Sequence, residues 1–285
     1  MSLSHLVRKS ARDVLERVAP GFMHHRRLRL AVPAEKEIEL LSVLCEKGTL
    51  AIDVGANKGL YVDHLRAVGA DVVAFEPYPH MAQQLQRFYS GSVNVRNVAL
   101  SDRHGRAQLR LPKDNVSWAT LAETNRLEMA DPSRGFETVD VEVRMLDEFE
   151  LSRVSFIKID VEGHEEAVLK GAQGTLAANH PCLLIEIEER HNAGSVHRVA
   201  QMLAALGYQE YFLLDDELHS YEDFDLTRHQ SPDNVGESGK TGTYVNNFVF
   251  VHDTRIADVL TRLRAQGLRM SPRLSGSDAA NPAQS

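Results

Sequence analysis

The feature that most constrains this chain is an alternation of short apolar runs with stretches of helical periodicity. "TLAIDV" (49–54), "DVVAFE" (71–76), "VNVRNVAL" (93–100), "VSFIKIDV" (154–161) and "CLLIEIE" (182–188) read as strands. Between several of them lie segments with apolar residues at helical spacing, such as Leu60, Val62, Leu65 and Val68, then "HMAQQLQRFYS", "EEAVLKGAQGTLAANH" and "VHRVAQMLAALG". Strands that are apolar throughout are buried on both faces, and helical crossovers join parallel neighbours, so the pattern predicts a doubly wound α/β sheet. "EYFLL" and "NNFVFVH" lack an obvious crossover helix between them, which predicts an antiparallel pair.

Before this region, "SHLVRKSARDVLERVA" places Leu6, Val7, Val14, Leu15 and Val18 at helical spacing. It reads as a short helix lying on the domain, and its basic amphipathic character would also suit peripheral contact with an anionic membrane. His24 and His25 read as solvated, and "AEKEIELLSVLCEKG" as a helix burying Ile38, Leu41, Val43 and Leu44. The expected division is an N-terminal helical segment with a basic arm (1–48), a main domain (49–268) and a disordered tail (269–285). Two stretches interrupt the main domain. An excursion at 113–137 contains the only tryptophan, Trp118, and such loops often cover a site. The other is an acidic loop at 215–240, read as a solvated surface or a lid over a polyhydroxylated acceptor.

Charge and cysteine content narrow the function classes. Lys plus Arg number 32 against 40 for Asp plus Glu, a net charge of -8, so the overall field disfavours nucleic acid. The first thirty residues depart from this, with seven basic residues against Asp13 and Glu16. Only Cys45 and Cys182 occur, which excludes a disulfide scaffold and a cysteine metal knuckle. No continuous apolar run has the ~18 residues a membrane span requires. A soluble, cytoplasmic protein is the expectation.

"AIDVGANKGLY" joins a strand to a helix through Gly55 and Gly59, the place where open parallel sheets bind ligands. A dinucleotide fingerprint requires G-x-G-x-x-G, and Asn57 occupies the second glycine position. Asp53 stands just before, where a carboxylate repels a pyrophosphate and suits the α-amino group of S-adenosylmethionine. Glu76 ends the next strand at the usual place for a carboxylate that binds ribose hydroxyls. Ser101 and Asp102 follow "NVAL", read as the end of the third strand and facing the adenine edge. Together these residues predict an S-adenosylmethionine site. A nicotinamide-dependent oxidoreductase and a non-catalytic binding protein on the same fold are the competing readings.

The stretches "IDVGANKGLY", "VVAFEPYP", "NVALSDRHG", "RMLDEF", "FIKIDVEGHEEAVLKGA" and "CLLIEIEE" resemble, in order and spacing, the FkbM family of methyltransferases. The resemblance covers roughly residues 49 to 190. It implies a class I methyltransferase (Rossmann-like) fold, a mostly parallel seven-stranded sheet with one antiparallel strand. It also implies O-methylation of a hydroxyl on a sugar, glycolipid or secondary metabolite. Carried over, Asp53, Gly55, Asn57 and Gly59 would face the methionine and ribose parts of the donor, Glu76 the ribose and Asp102 the adenine.

Methyl transfer to an alcohol needs alignment and a destination for the hydroxyl proton, and a general base contributes roughly 10² to 10⁴-fold. Asp160 ends the fourth strand and faces the donor across the switch point. His164, with its ordinary pKa of ~6.5, is the other candidate base, and Glu186, at the end of the next strand, is a candidate to complete a carboxylate cluster with Asp160. Glu162 is a candidate for the methionine or substrate end. A divalent cation that lowers the hydroxyl pKa is the alternative device, with ligands unknown from sequence. Glu165 and Glu166 read as first-turn residues complementing a helix dipole.

Overall fold

The computed structural model describes residues 21, 24, 25, 28, 35–113, 115–122, 125, 135–236, 239–240 and 242–271. The segment read as a basic amphipathic helix, most of the basic arm and the tail beyond Ser271 lie outside the described residues.

Among the described residues, nine strands form the main sheet. In chain order they are β1 (Leu50–Val54), β2 (Asp71–Phe75), β3 (Asn94–Arg96), β7 (Val154–Ile159), β8 (Cys182–Glu186), β9 (Tyr208–Leu214), β10 (Glu217–Ser220), β13 (Asn247–His252) and β14 (Arg269–Met270). Two satellite sheets take the remaining numbers: β4 (Ala99–Leu100), β5 (Gly105–Pro112) and β6 (Phe136–Arg144), then β11 (Val235–Gly236) with β12 (Gly239–Lys240). The main sheet runs β14-β10-β9-β13-β8-β7-β1-β2-β3. The five strands β3, β2, β1, β7 and β8 are mutually parallel. β13 lies antiparallel between β8 and β9.

The sheet therefore has nine strands where seven were expected, and more than one runs against the majority. The addition comes from the stretch read as an acidic loop. Asp215 and Asp216 both take positive φ (51° and 63°) and turn β9 back into β10. Arg269–Met270, assigned above to the tail, then pair with β10 in parallel. Asp tolerates the left-handed region better than most residues, which is why an acidic pair closes this hairpin.

Strand alternation divides the core into two layers. Ala51, Val72, Ala74, Phe156, Leu184 and Val249 pack under α1 (Leu41–Leu44), α2 (Leu60–Val68), part of α3 (Pro79–Tyr89) and α8 (Ile256–Ala265). Ile52, Val54, Phe75, Ile157, Ile159 and Leu183 pack under α4 (Glu165–Lys170), α5 (Gln173–Asn179) and α6 (Ser195–Ala204). A short α7 (Leu226–His229) precedes β11. The segment read as one N-terminal helix is a 3-10 turn over Lys36–Leu40 followed by α1, and it buries Ile38, Leu41, Val43 and Leu44 as the periodicity requires. His24 and His25 are not simply solvated: His24 bonds the Lys58 carbonyl at 2.7 Å and His25 meets Asp63 at 2.6 Å.

"VNVRNVAL" is two strands rather than one. The Asn97 amide donates to the carbonyls of Glu76 and Pro77, both at 2.9 Å, which turns the chain out of the main sheet after Arg96. Ala99–Leu100 then pair with β6 instead. With β5, these strands form a small sheet with its own apolar core of Ala99, Leu109, Leu111, Val141 and Val143. It stands beside the carboxyl ends of β1, β2 and β7. No helix among the described residues is long and apolar enough to cross a membrane.

Candidate active site

The carboxyl ends of three parallel strands are tied together by backbone bonds. Gly55 N–H donates to the Phe75 carbonyl at 2.9 Å, and Asp160 N–H to the Val54 carbonyl at 3.0 Å. Gly55 has φ +83°, and a Cβ built on it would stand 1.8 Å from the Asp160 carbonyl oxygen. Only glycine permits the first loop to lie this close to the fourth. Asn57 also takes the left-handed region (φ 47°), and its N–H points back to Glu76. Gly59 caps α2 with its Cα against Leu85 and Tyr89.

Two chambers open at this edge. Glu76, Pro77, Tyr78, Met81, Val98, Ala99, Leu100 and Leu109 line the first, with His164 and Leu121 on its far wall. The second is lined by Leu28, Glu35, Asp53, Lys58, Tyr61, Trp118 and Lys158. They share Gly55, Asn57, Ser117, Asp160 and Glu162, so these five residues form the neck between them. The excursion is fastened to this neck: Thr120 Oγ1 and Asn125 Nδ2 donate to the Glu162 carbonyl at 2.7 and 2.8 Å.

Glu76 is a built acceptor. One carboxylate oxygen accepts from Asn57 N–H at 2.7 Å and the other from Tyr78 N–H at 2.8 Å. Each oxygen keeps a second lone pair for the first chamber. Burial pushes its pKa from an ordinary 4.5 to about 7, against the pull of those two backbone bonds. Asp53 is 2% exposed, with Oδ2 unpartnered. Burial raises it from 3.8 to about 7, while Lys158 pulls down and Asp160 pushes up. The Asn57 side-chain oxygen is likewise buried without a partner. Buried polar atoms left unpaired are costly, and at a cleft wall they await a ligand.

Asp160 lines both chambers at the neck, and burial raises its pKa although Lys158 opposes. Glu162 shares the neck, has φ 53°, and its carboxylate meets His191 Nδ1 at 3.2 Å. Burial pushes Glu162 well up and His191 down to about 4, so the imidazole is neutral near pH 7. His164 faces the first chamber, with Nε2 hydrogen-bonded to Ser101 Oγ at 2.9 Å and its pKa lowered by burial.

Other sequence candidates fall elsewhere. Ser101 and Asp102 do not end the third strand, because the chain leaves the sheet at Arg96. Neither lines the chambers; Asp102 is 41% exposed beside Arg103. Val98, Ala99 and Leu100, just before them in the chain, do line the first chamber. Glu186 lines neither chamber: its carboxylate accepts from Asn246 Nδ2 at 2.5 Å. Glu165 stands in the first turn of α4, as read from the sequence, and its side chain is turned inward. It is buried, accepts from Gly163 N–H at 2.8 Å, and is raised by burial to about 7. Glu166 pairs with Arg198 at 2.7 Å. Trp118 lines the second chamber. Lys158, Glu35 and His191 were not singled out from sequence; a lysine in an otherwise apolar strand was the one available signal. Among the described residues, no group of three His, Cys, Asp or Glu is arranged to hold a metal ion.

A parallel sheet that reverses order beside β1, with a glycine turn after β1 and a backbone-anchored carboxylate after β2, is the architecture of a class I methyltransferase. The chain belongs to the FkbM methyltransferase domain family, whose model matches residues 53–210. Among solved structures it is similar to the methyltransferase FkbM from Methylobacillus flagellatus KT. The two are 19% identical with a TM-score of 0.45, over 71% of this chain and 43% of that one. It therefore spans less than half of that protein. Magnesium protoporphyrin IX methyltransferase from Synechocystis PCC 6803, solved with bound SAM, is 13% identical (TM-score 0.39, 81% of this chain and 80% of that one). SMU.1697c from Streptococcus mutans, a putative methyltransferase in complex with SAH, is 10% identical (TM-score 0.39, 77% and 97%). No curated protein matches the sequence.

Proposed function

We propose that the protein transfers a methyl group from S-adenosylmethionine to a hydroxyl of a sugar, glycolipid or secondary metabolite. The observation that carries the donor assignment is Glu76, whose two oxygens are each fixed by one backbone N–H and each keep a lone pair, as a ribose diol requires. The apolar wall of Val98, Ala99, Leu100 and Pro77 suits the adenine, and the unpartnered oxygens of Asp53 and Asn57 suit the amino acid end. When bound, S-adenosylmethionine supplies a methyl group already activated on a sulfonium.

The chain then has to align the acceptor and take one proton. The second chamber meets the first only at the neck, so an acceptor held between Trp118, Tyr61 and Glu35 presents its hydroxyl beside Asp160. Asp160 takes the proton. Glu162 positions the neck, and His164, bonded to Ser101, shapes the donor wall. Orientation in such a site contributes up to ~7 to 11 kcal/mol in well-aligned systems. The test is mass spectrometry of a cell extract incubated with isotope-labelled S-adenosylmethionine and the protein. A product carrying the label on oxygen supports the reading; label found only on nitrogen or carbon contradicts the hydroxyl acceptor.

Replacing Glu76 by alanine removes both ribose contacts. Hydrogen bonds to a charged group are worth ~1.5 to 3 kcal/mol each, so S-adenosylhomocysteine affinity should fall by roughly 10² to 10⁴-fold in a calorimetric titration. An unchanged dissociation constant would remove Glu76 from the donor site.

The raised carboxyls give a pH signature. Glu76 and Asp53 hold protons up to about 7 in the free protein, and the ligand requires both ionised. Their ligand-free contribution to stability is present below the ordinary carboxylate range and is lost as pH rises through about 7. Ligand binding releases the protons, so affinity should rise with pH up to about 7 and then level off. Thermal shifts with saturating S-adenosylhomocysteine should be larger at pH 8 than at pH 6; equal shifts would show that neither carboxyl titrates on binding.

A further inference from the structure

β10 covers only part of β9. Their register ends with Ser220 opposite Tyr211, after which the chain turns away in a 3-10 turn over Tyr221–Asp223. One edge of residues 208–210 therefore has no neighbouring strand among the described residues, while the other edge pairs with β13. Helix α6 passes this uncovered edge with Ala200 and Ala204 on one stripe, and two such small side chains leave room between helix and strand. The result is a cavity of about 370 Å³ that shares no lining residue with either chamber at the neck.

Glu210 lines this cavity. It stands between Tyr208 and Phe212 in the alternation of β9 and opposite Phe250 of β13, on the face that packs the second core layer. Both of its carboxyl oxygens are buried, and neither has a hydrogen-bond partner. A buried carboxyl with neither oxygen paired is costly, and burial that no charge partner offsets pushes its pKa from 4.5 to about 9. The lining holds a second acidic residue, Glu222, and contains no lysine or arginine. Tyr208 and Tyr221 add aromatic rings to the wall. An anion is disfavoured among these groups, and an apolar ligand leaves both oxygens of Glu210 unpaired. A guanidinium presents two parallel N–H donors that match the two oxygens of one carboxylate, and its flat face packs on aromatic rings. We propose that the cavity between α6 and β9 is a binding site for a guanidinium group, held as a fork on both oxygens of Glu210 beside the Tyr221 ring. The proton that Glu210 carries near pH 7 passes to solvent as the ion pair forms. This site stands apart from the methyl transfer proposed above and does not depend on it.

The test is calorimetric titration of the full-length protein at about pH 8.5, just below the Glu210 midpoint of about 9, with two guanidinium probes. One is ethylguanidine and the other an Ala-Arg-Ala peptide blocked at both ends. Saturable binding of at least one probe, with a dissociation constant below about 1 mM, is the expected result. Tighter binding of the peptide assigns the site to an arginine side chain, and tighter binding of ethylguanidine assigns it to a free small molecule. Glu210→Gln keeps the size of the side chain and removes its charge, so it should weaken binding about tenfold or more. No saturation of either probe by about 10 mM, or unchanged binding in Glu210→Gln, overturns the proposal and leaves the cavity to solvent. Propylamine, with an ammonium in place of the fork, should bind more weakly than ethylguanidine; equal or tighter binding overturns the guanidinium assignment. Thermal melts establish that each variant is folded. Where Glu210→Gln fails to fold, Ala200→Leu fills the cavity from α6 and should abolish binding; binding retained in that variant overturns the proposal.

Discussion

Asp160→Asn should lower the rate of methyl transfer by roughly 10² to 10⁴-fold, the range a general base contributes, while donor affinity stays close to that of the unaltered protein. Asparagine keeps the size of the side chain, and the backbone bond from residue 160 to the Val54 carbonyl is untouched by the change. The donor contacts proposed above lie in Glu76, Asp53 and Asn57, so on that proposal the loss should appear in kcat. Activity within threefold or so of the unaltered protein would show that the hydroxyl proton leaves by another route. His164→Gln provides the comparison. Its ring lines only the first of the two main chambers and is engaged by Ser101, so its replacement should change activity far less.

Gly55→Ala should be the most disruptive single-methyl change in the site. Two costs combine: alanine at φ +83° is strained by ~1 to 2 kcal/mol, and its Cβ would overlap the Asp160 carbonyl at 1.8 Å. Relief requires separating the loops after β1 and β7, which breaks the neck. A loss of about 3 to 5 kcal/mol follows, with a fall in Tm of roughly 6 to 15 °C for a domain of this size. Gly48→Ala is the control, since Gly48 has φ +74° with nothing within 4 Å of the added atom. It bears the dihedral cost alone. Equal thermal effects from the two substitutions would show that the loops accommodate the overlap.

Why some of this was legible in the sequence follows from the range of the interactions. The alternation of apolar strands and helices is local, and it marks β1, β2, β7 and β8 because each is buried on both faces. The carboxylates at their ends could be assigned to one edge because parallel strands present their carboxyl ends together. What depends on non-local pairing was not legible. Nothing in "VNVRNVAL" announces that Asn97 would bond two carbonyls and send Ala99–Leu100 to β6, so Ser101 and Asp102 follow a strand of the small sheet rather than the third strand of the main one. β10 and β14 are short and pair across some fifty residues, which concealed the two extra strands. Glu165 was placed in the first helical turn, but its burial was not legible because it depends on how the loop after β7 closes. His191 meets Glu162 only after β8 has crossed back to the same edge.

The fold also explains how the regions outside the family match contribute. Leu28 and Glu35 precede residue 53, yet both line the second chamber. The chamber assigned to the acceptor thus draws part of its wall from sequence that the family model does not cover, while the donor chamber lies within it. Exchange of these residues should alter acceptor choice before it alters donor binding.

The most direct test is calorimetric titration of the purified protein with S-adenosylhomocysteine and, separately, with NAD. Saturable binding of one S-adenosylhomocysteine per chain, abolished or strongly weakened by Glu76→Ala and absent for NAD, is the expected result. Tight binding of NAD with no heat from S-adenosylhomocysteine would contradict the assignment of this cleft as a methyl-donor site.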